Sequence, residues 1–214
     1  SGRLVLCNMS VEAGATSGLV PPDEETLRYL RDEAGIKDKL DIFGPDPDAV
    51  YEQVLAVDAS KLTPQIACPH TVDNVKPIGE VKGKKLDQIV IGSCTNGRLD
   101  DLEVAAKILR GRRVADGTRM LVFPASWRIY HKAMDLGFIQ ELSRAGAVVC
   151  NPGCGPCLGI HQGALADNEV ALATTNRNFK GLMGNPKAEV YLCSPAVAAA
   201  SAITGVITDP REAK

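Results

Sequence analysis

Cys154 and Cys157 form a CxxC inside CNPGCGPCLG (150–159), and Cys94 lies sixty residues earlier in SCTNGR (93–98). A CxxC on a loop rich in glycine and proline can bind a metal, act as a redox pair, or do neither. Structural zinc wants four protein ligands, so three converging thiolates would leave its tetrahedron unfinished. The same three can hold three corners of a cubane iron–sulfur cluster and leave the fourth iron open. An open iron is a Lewis acid that can take a hydroxyl and a carboxylate from a substrate. Asn176, Arg177 and Asn178 in TTNRNF form a polar run directly after an apolar stretch, where burial in a core does not explain them. Arginine is the natural bidentate partner of a carboxylate. An open iron beside a carboxylate clamp is a layout for dehydrating a hydroxy acid.

Cys150, Cys154 and Cys157 together have CxxxCxxC spacing, as in the cluster loop of radical S-adenosylmethionine enzymes. Pro156 stands where those loops usually carry an aromatic, and only 57 residues follow Cys157, so Cys150 is read as the buried end of a strand. Cys7, Cys68 and Cys193 are read as small buried hydrophobes. His70, His131 and His161 are assigned structural roles, with His161 the nearest of the three to the CxxC.

The elements that must position these residues change in texture along the chain. From residue 85 apolar strands and amphipathic helices alternate, which predicts a doubly wound, mainly parallel α/β sheet over 85–214. The strands are LDQIVIGS, TRMLVFPA, AVVC, EVALATT and AEVYLCS. The helices are LDDLEVAAKILRG, SWRIYHKAMDLG, FIQELSRAG and a last one with Ser194 at its cap, Pro195 at its first position and Gly205 past its end. Residues 1–84 read as part of a smaller α/β domain and a connecting segment, with a helix over DEETLRYLRDEAG and a strand-like QVLAVDA. In open α/β sheets ligands sit at the carboxyl ends of the strands, near the point where strand order reverses. The loops at 93–98, 150–157 and 174–181 all leave strand ends, and should open on one edge.

Composition narrows the remaining classes. A net charge of −2 with interspersed signs offers no basic stripe for nucleic acid. The alanine-rich PAVAAASAITGV is too short to span a bilayer. Seven unevenly spaced cysteines argue against a disulfide framework, so a reducing, cytoplasmic setting is expected.

CNMSVEAGA, IGSCTNG, NPGCGPCLG and TTNRNF followed by glycine, in this order, resemble the aconitase superfamily. PPDEETL, ACPHTVDNV and YLCSPAVAAASAITG fit as well, so the resemblance covers essentially the whole chain. It is greatest to the large subunits of the 3-isopropylmalate dehydratase and homoaconitase branch. That resemblance implies a [4Fe-4S] cluster with one open iron, held by Cys94, Cys154 and Cys157. It also implies catalytic roles for Glu12 and Asn8, and substrate binding by Arg177, Asn176 and Asn96. The implied reaction removes water from a 2-hydroxy acid and returns it at the adjacent carbon, with 3-isopropylmalate, homoaconitate or 2,3-dimethylmalate as substrates. The family usually reads NRNFxGR, and Leu182 stands here in place of the second arginine, with Lys180 as a possible stand-in. About 200 further residues precede this region in the family's large subunit. The chain is therefore expected to be a C-terminal half, inactive without the rest and without a small, swivelling-domain subunit. An apo form that binds RNA, or a zinc or redox CxxC module, are the alternatives of another class.

Overall fold

The computed structural model describes residues 2–213. Helix α1 (Gly2–Met9) runs into a 3₁₀ turn at Ser10–Ala13, and α2 (Glu24–Arg28) continues as a π-helical turn at Tyr29–Glu33. Asp23 starts α2 by accepting from the backbone N–H of Thr26 at 3.1 Å. Strands β1 (Gln65–Ala67) and β2 (Val75–Pro77) and the short helix α3 (Ile78–Val81) lead into the main body. Its elements are β3 (Gln88–Gly92), α4 (Leu99–Leu109), β4 (Arg119–Phe123), α5 (Trp127–Asp135), α6 (Phe138–Arg144) and β5 (Val148–Val149). They are completed by β6 (Val170–Ala173), β7 (Glu189–Leu192) and α7 (Pro195–Thr204).

One sheet of seven strands has the order β2-β1-β7-β6-β3-β4-β5. Strands β3 to β7 pair in parallel, and β1 and β2 add an antiparallel edge. The α/β sheet is thus mainly parallel, as the alternating pattern predicts. It also draws in residues 65–77, which precede the segment where the alternation becomes legible. Helices α4, α5, α6 and α7 pack on one another over one face, where Leu102, Leu109, Leu142 and Val197 are fully buried with Ile89, Ile91 and Val122. The other face carries Val90, Ala171, Ala173 and Val190, covered by Leu165, Met183 and Ala188. Those three come from the crossovers 150–169 and 174–188, whose one helical piece is a 3₁₀ turn at Gly155–Leu158. Each crossover begins at the carboxyl end of a strand and runs as loop, and loops are what function needs.

One element forms without a sequence signal, and one expected element does not form. GRLVLCNMSVEA (2–13) has no evident helix start, yet folds into α1 and its 3₁₀ turn. QVLAVDA (53–59) forms no strand; Val54 and Leu55 are each 78% exposed. Its alternating apolar residues have no neighbouring strand to pair with, and an unpaired strand has no ladder to hold it.

Candidate active site

The strand order reverses at β3. From it the chain steps to β4 and β5 on one side, then returns to β6 and β7 on the other. Loops 93–98 and 174–181 leave the ends of the two adjacent strands β3 and β6, so they flank the switch point where such sheets bind ligands. Thr174 ties those ends together. Its hydroxyl accepts from Gly92 N–H at 2.9 Å and lies 3.3 Å from Gly92 C=O, continuing the pairing where the backbones diverge.

At Gly92 the path needs glycine: φ is +132°, and a Cβ would lie 2.1 Å from the Phe123 carbonyl oxygen. Ser93 follows with φ +97°, nearly buried, and its hydroxyl has no partner among the described residues. A non-glycine residue in that region stores strain of about 1–3 kcal/mol, and such residues cluster at functional sites. This turn delivers Cys94 to the exposed edge. The CxxC turn is shaped similarly. Gly155 has φ +59°, and a Cβ there would lie 2.7 Å from the ring of buried Phe123. Cys154 is exposed and Cys157 half-buried.

The three sulfurs are electrostatic neighbours. Burial pushes the Cys154 thiol up, and Cys94, which hydrogen-bonds it, adds to the rise. Burial pushes Cys157 up as well, reinforced by Cys154 and Cys94, whereas the Arg177 guanidinium acts in the opposite direction. Among the described residues no three His, Cys, Asp or Glu side chains converge as ligands of one ion. A cubane asks for something else, because each thiolate binds its own iron at a separate corner. A donor set of three thiols, two exposed and one half-buried, with no fourth such ligand beside them among the described residues, fits such a cluster better than a closed zinc site.

Beside the thiols a polar network joins three segments. Asn176 is almost fully buried; its Oδ1 accepts from the Thr95 hydroxyl at 2.9 Å and from Asn96 Nδ2 at 3.3 Å. Asn96 Nδ2 also donates to the Thr174 carbonyl. Asn176 Nδ2 donates to Asn8 Oδ1 at 2.7 Å. Arg177 donates from Nε to Glu12 at 2.5 Å, from Nη1 to Asn8 Oδ1 at 3.1 Å, and from Nη2 to the Asn8 carbonyl at 3.3 Å. Asn8, Glu12, Asn96, Asn176 and Arg177, singled out by resemblance, therefore stand within one hydrogen-bonded group.

Others fall elsewhere. Asn178 is fully buried and donates to the Cys68 carbonyl at 2.8 Å and the Val190 carbonyl at 3.2 Å, so it anchors the loop to the sheet. A structural explanation holds for it after all. Cys150 is buried at the end of β5, with its N–H on the Val122 carbonyl. Cys68 is buried as expected, whereas Cys7 and Cys193 are only half-buried by exposure, although desolvation of the Cys193 thiol drives it far up. His161 is exposed and meets the Phe123 ring edge-on at 6.2 Å. Leu182 is half-buried and Lys180 exposed. Thr95, Thr174 and Ser93 are the residues that sequence reasoning passed over. Thr95 lies between two residues already singled out in SCTNGR, and that adjacency was the available signal.

The sequence profile of the aconitase family (aconitate hydratase) matches residues 1–88 and 79–205. The 3-isopropylmalate dehydratase large subunit 1 of Methanopyrus kandleri is 54% identical over 99% of this chain and 50% of that protein. The large subunit 2 of Archaeoglobus fulgidus 3-isopropylmalate dehydratase is 54% identical over 98% of this chain and 50% of its own length. A protein of Methanosarcina mazei named as a probable methanogen homoaconitase large subunit is 51% identical over 99% of this chain and 53% of its own. The chain thus spans about half the length of these relatives. With a profile match along nearly its whole length, the chain belongs to the aconitase family.

Proposed function

We propose that this chain is the cluster-bearing part of a hydro-lyase large subunit of the 3-isopropylmalate dehydratase type, acting with a small subunit on a hydroxy acid. What supports the reading is the Asn8–Glu12–Asn176–Arg177 network beside the Cys94 loop at the switch point, with Cys154 and Cys157 within electrostatic reach of Cys94, and Cys157 also of Arg177. Cys94, Cys154 and Cys157 would hold a [4Fe-4S] cluster, which when bound supplies a Lewis acid for the departing hydroxyl. Of the five N–H groups of Arg177, three are committed to Glu12 and Asn8. Two remain to hold a substrate carboxylate, and the fixed fork orients it. Glu12, held against Arg177, is the carboxylate in reach of the site that can carry the proton needed by the leaving water. Asn8, Asn96 and Asn176 are kept as oriented amides for the substrate's oxygens. Leu182 adds no charge there, so Arg177 is the guanidinium on which carboxylate binding depends.

The test uses the full-length large subunit, reconstituted with iron and sulfide and combined with its small subunit. Turnover of 3-isopropylmalate, homoaconitate and 2,3-dimethylmalate is compared. The expectation is visible iron–sulfur charge-transfer absorbance and greatest turnover of 3-isopropylmalate. In Cys154→Ser the absorbance should be largely lost while the circular dichroism of the fold is unchanged. Absence of cluster absorbance in the reconstituted wild type would sink the reading.

A further inference from the structure

Arg177 and Asn8 reach the site through other groups, and the order of those groups points to a residue with no assigned role. Asn96 Nδ2 faces the Thr174 carbonyl, which can only accept, so the amide of Asn96 is fixed from that end. Arg177 can only donate, so Asn8 must turn Oδ1 toward it. Asn176 lies between these two fixed ends and can satisfy both in one orientation, with Oδ1 toward loop 93–98 and Nδ2 toward Asn8. Two donors hold its Oδ1 there. The Thr95 hydroxyl is the closer at 2.9 Å, against 3.3 Å for Asn96, and Asn96 also shares its Nδ2 with Thr174. Thr95 is itself 7% exposed, so water is a poor substitute for it.

We propose that Thr95 is a positioning residue. It sets the carboxamide of Asn176, and through that amide holds Asn8 and Arg177 in register with the loop that carries Cys94. The hydroxyl–amide–amide–guanidinium chain runs from the cysteine loop to the carboxylate clamp without a gap. Buried chains of this kind polarise one another and fix a single arrangement when every member is satisfied. Flipping Asn176 would set its NH₂ against the Asn96 NH₂ and its oxygen against Asn8 Oδ1, and the Thr95 hydroxyl supplies the shorter of the two bonds that hold Oδ1 in its place.

The dehydratase reading underlies only the kinetic half of the test. In the first half, side-chain amide signals of ¹⁵N-labelled chain are compared for wild type, Thr95→Val and Thr95→Ser. The valine variant keeps the shape and removes the hydroxyl; the serine variant keeps the hydroxyl and removes the methyl. Thr95→Val should shift the Asn176 and Asn8 NH₂ signals and lose their slow exchange, and Thr95→Ser should restore both. Unchanged Asn176 and Asn8 signals in a folded valine variant overturn the proposal. If that variant does not fold, Thr95→Ala is read by the same criterion. In the second half, Thr95→Val in the reconstituted two-subunit enzyme should raise KM for 3-isopropylmalate about tenfold, with kcat changed by about twofold at most. A clamp that holds the carboxylate alike in ground and transition states acts on KM. A fall in kcat alone, or no rescue by serine, overturns it. Wild type with no turnover refutes the dehydratase reading and leaves the amide signals to decide on Thr95.

Discussion

The two ends of this molecule are built differently. From Ile66 onward the chain packs around a parallel sheet, with side chains such as Leu102, Ile89 and Leu172 fully excluded from water. No described residue before Ile66 is buried, and Phe43, Val50, Leu55 and Val57 are each more than 70% exposed. The N-terminal segment is held to the body by side-chain pins rather than by a core. Glu12 and Asn8 meet Arg177 and Asn176, and Tyr29 OH accepts from Arg98 at 2.8 Å with the guanidinium 5.8 Å over its ring. Glu33 pairs with Lys132 at 2.6 Å. The difference teaches where the site is soft. Cys94, Cys154, Cys157 and Arg177 stand on the packed half, whereas Asn8 and Glu12 stand on the pinned half. Local opening of the pinned half would disperse the site without unfolding the sheet.

The contrast can be broken most forcefully in the core. Leu102→Ala should cost about 2–5 kcal/mol in denaturant unfolding, because it leaves a cavity in a closed layer. Leu55→Ala should stay within about 0.5 kcal/mol; equal losses would mean that the two halves are not as different as described. Gly155→Ala comes next, at about 1–3 kcal/mol. It forces a side chain into the Phe123 ring at a φ of +59°, and should show as a lowered unfolding midpoint together with poor cluster retention after reconstitution.

Arg177→Gln tests the pins directly. Charge-assisted hydrogen bonds contribute about 1.5–3 kcal/mol, and this pair is less than a third exposed. Hydrogen exchange should therefore quicken across α1 and leave β3 and β6 protected. Among the pins the smaller effect belongs to the more exposed Glu33–Lys132 pair, where Glu33→Gln should cost about 1 kcal/mol or less. The same pin titrates. Hydrogen bonding and the charge of Lys132 hold the Glu33 carboxyl below its ordinary value of 4.5. Its contribution is fully present above that value and is lost as pH falls through the lowered one. Limited proteolysis near residues 29–36 should quicken on acidification below about 4.5 in wild type, and Glu33→Gln should lose that dependence.

Legibility followed the same division. The strands and helices after residue 85 were readable because burial imposes a period on sequence: five apolar runs became β3 to β7, and Ser194, Pro195 and Gly205 marked the ends of α7. The pinned half imposes no such period. There α1 went unread, and QVLAVDA suggested a strand that nothing pairs with. Within the site, residue types announced Cys94, Cys154, Cys157 and Arg177. Thr95 was hidden because a threonine in a polar loop is ordinary until its hydroxyl is seen against a buried amide.

The sequence alone determined the chemistry available: thiols spaced for a metal, an arginine for a carboxylate, loops at strand ends, and the alternation that builds a parallel sheet. The tertiary structure decided which of these meet. Asn8 and Asn176 are 168 positions apart and 2.7 Å from each other, and Asn178, two residues from Asn176, faces the sheet instead. Spacing along a chain sets which side of a strand or turn a residue occupies. Only the order of strands in the sheet, with its reversal at β3, sets which turns share an edge.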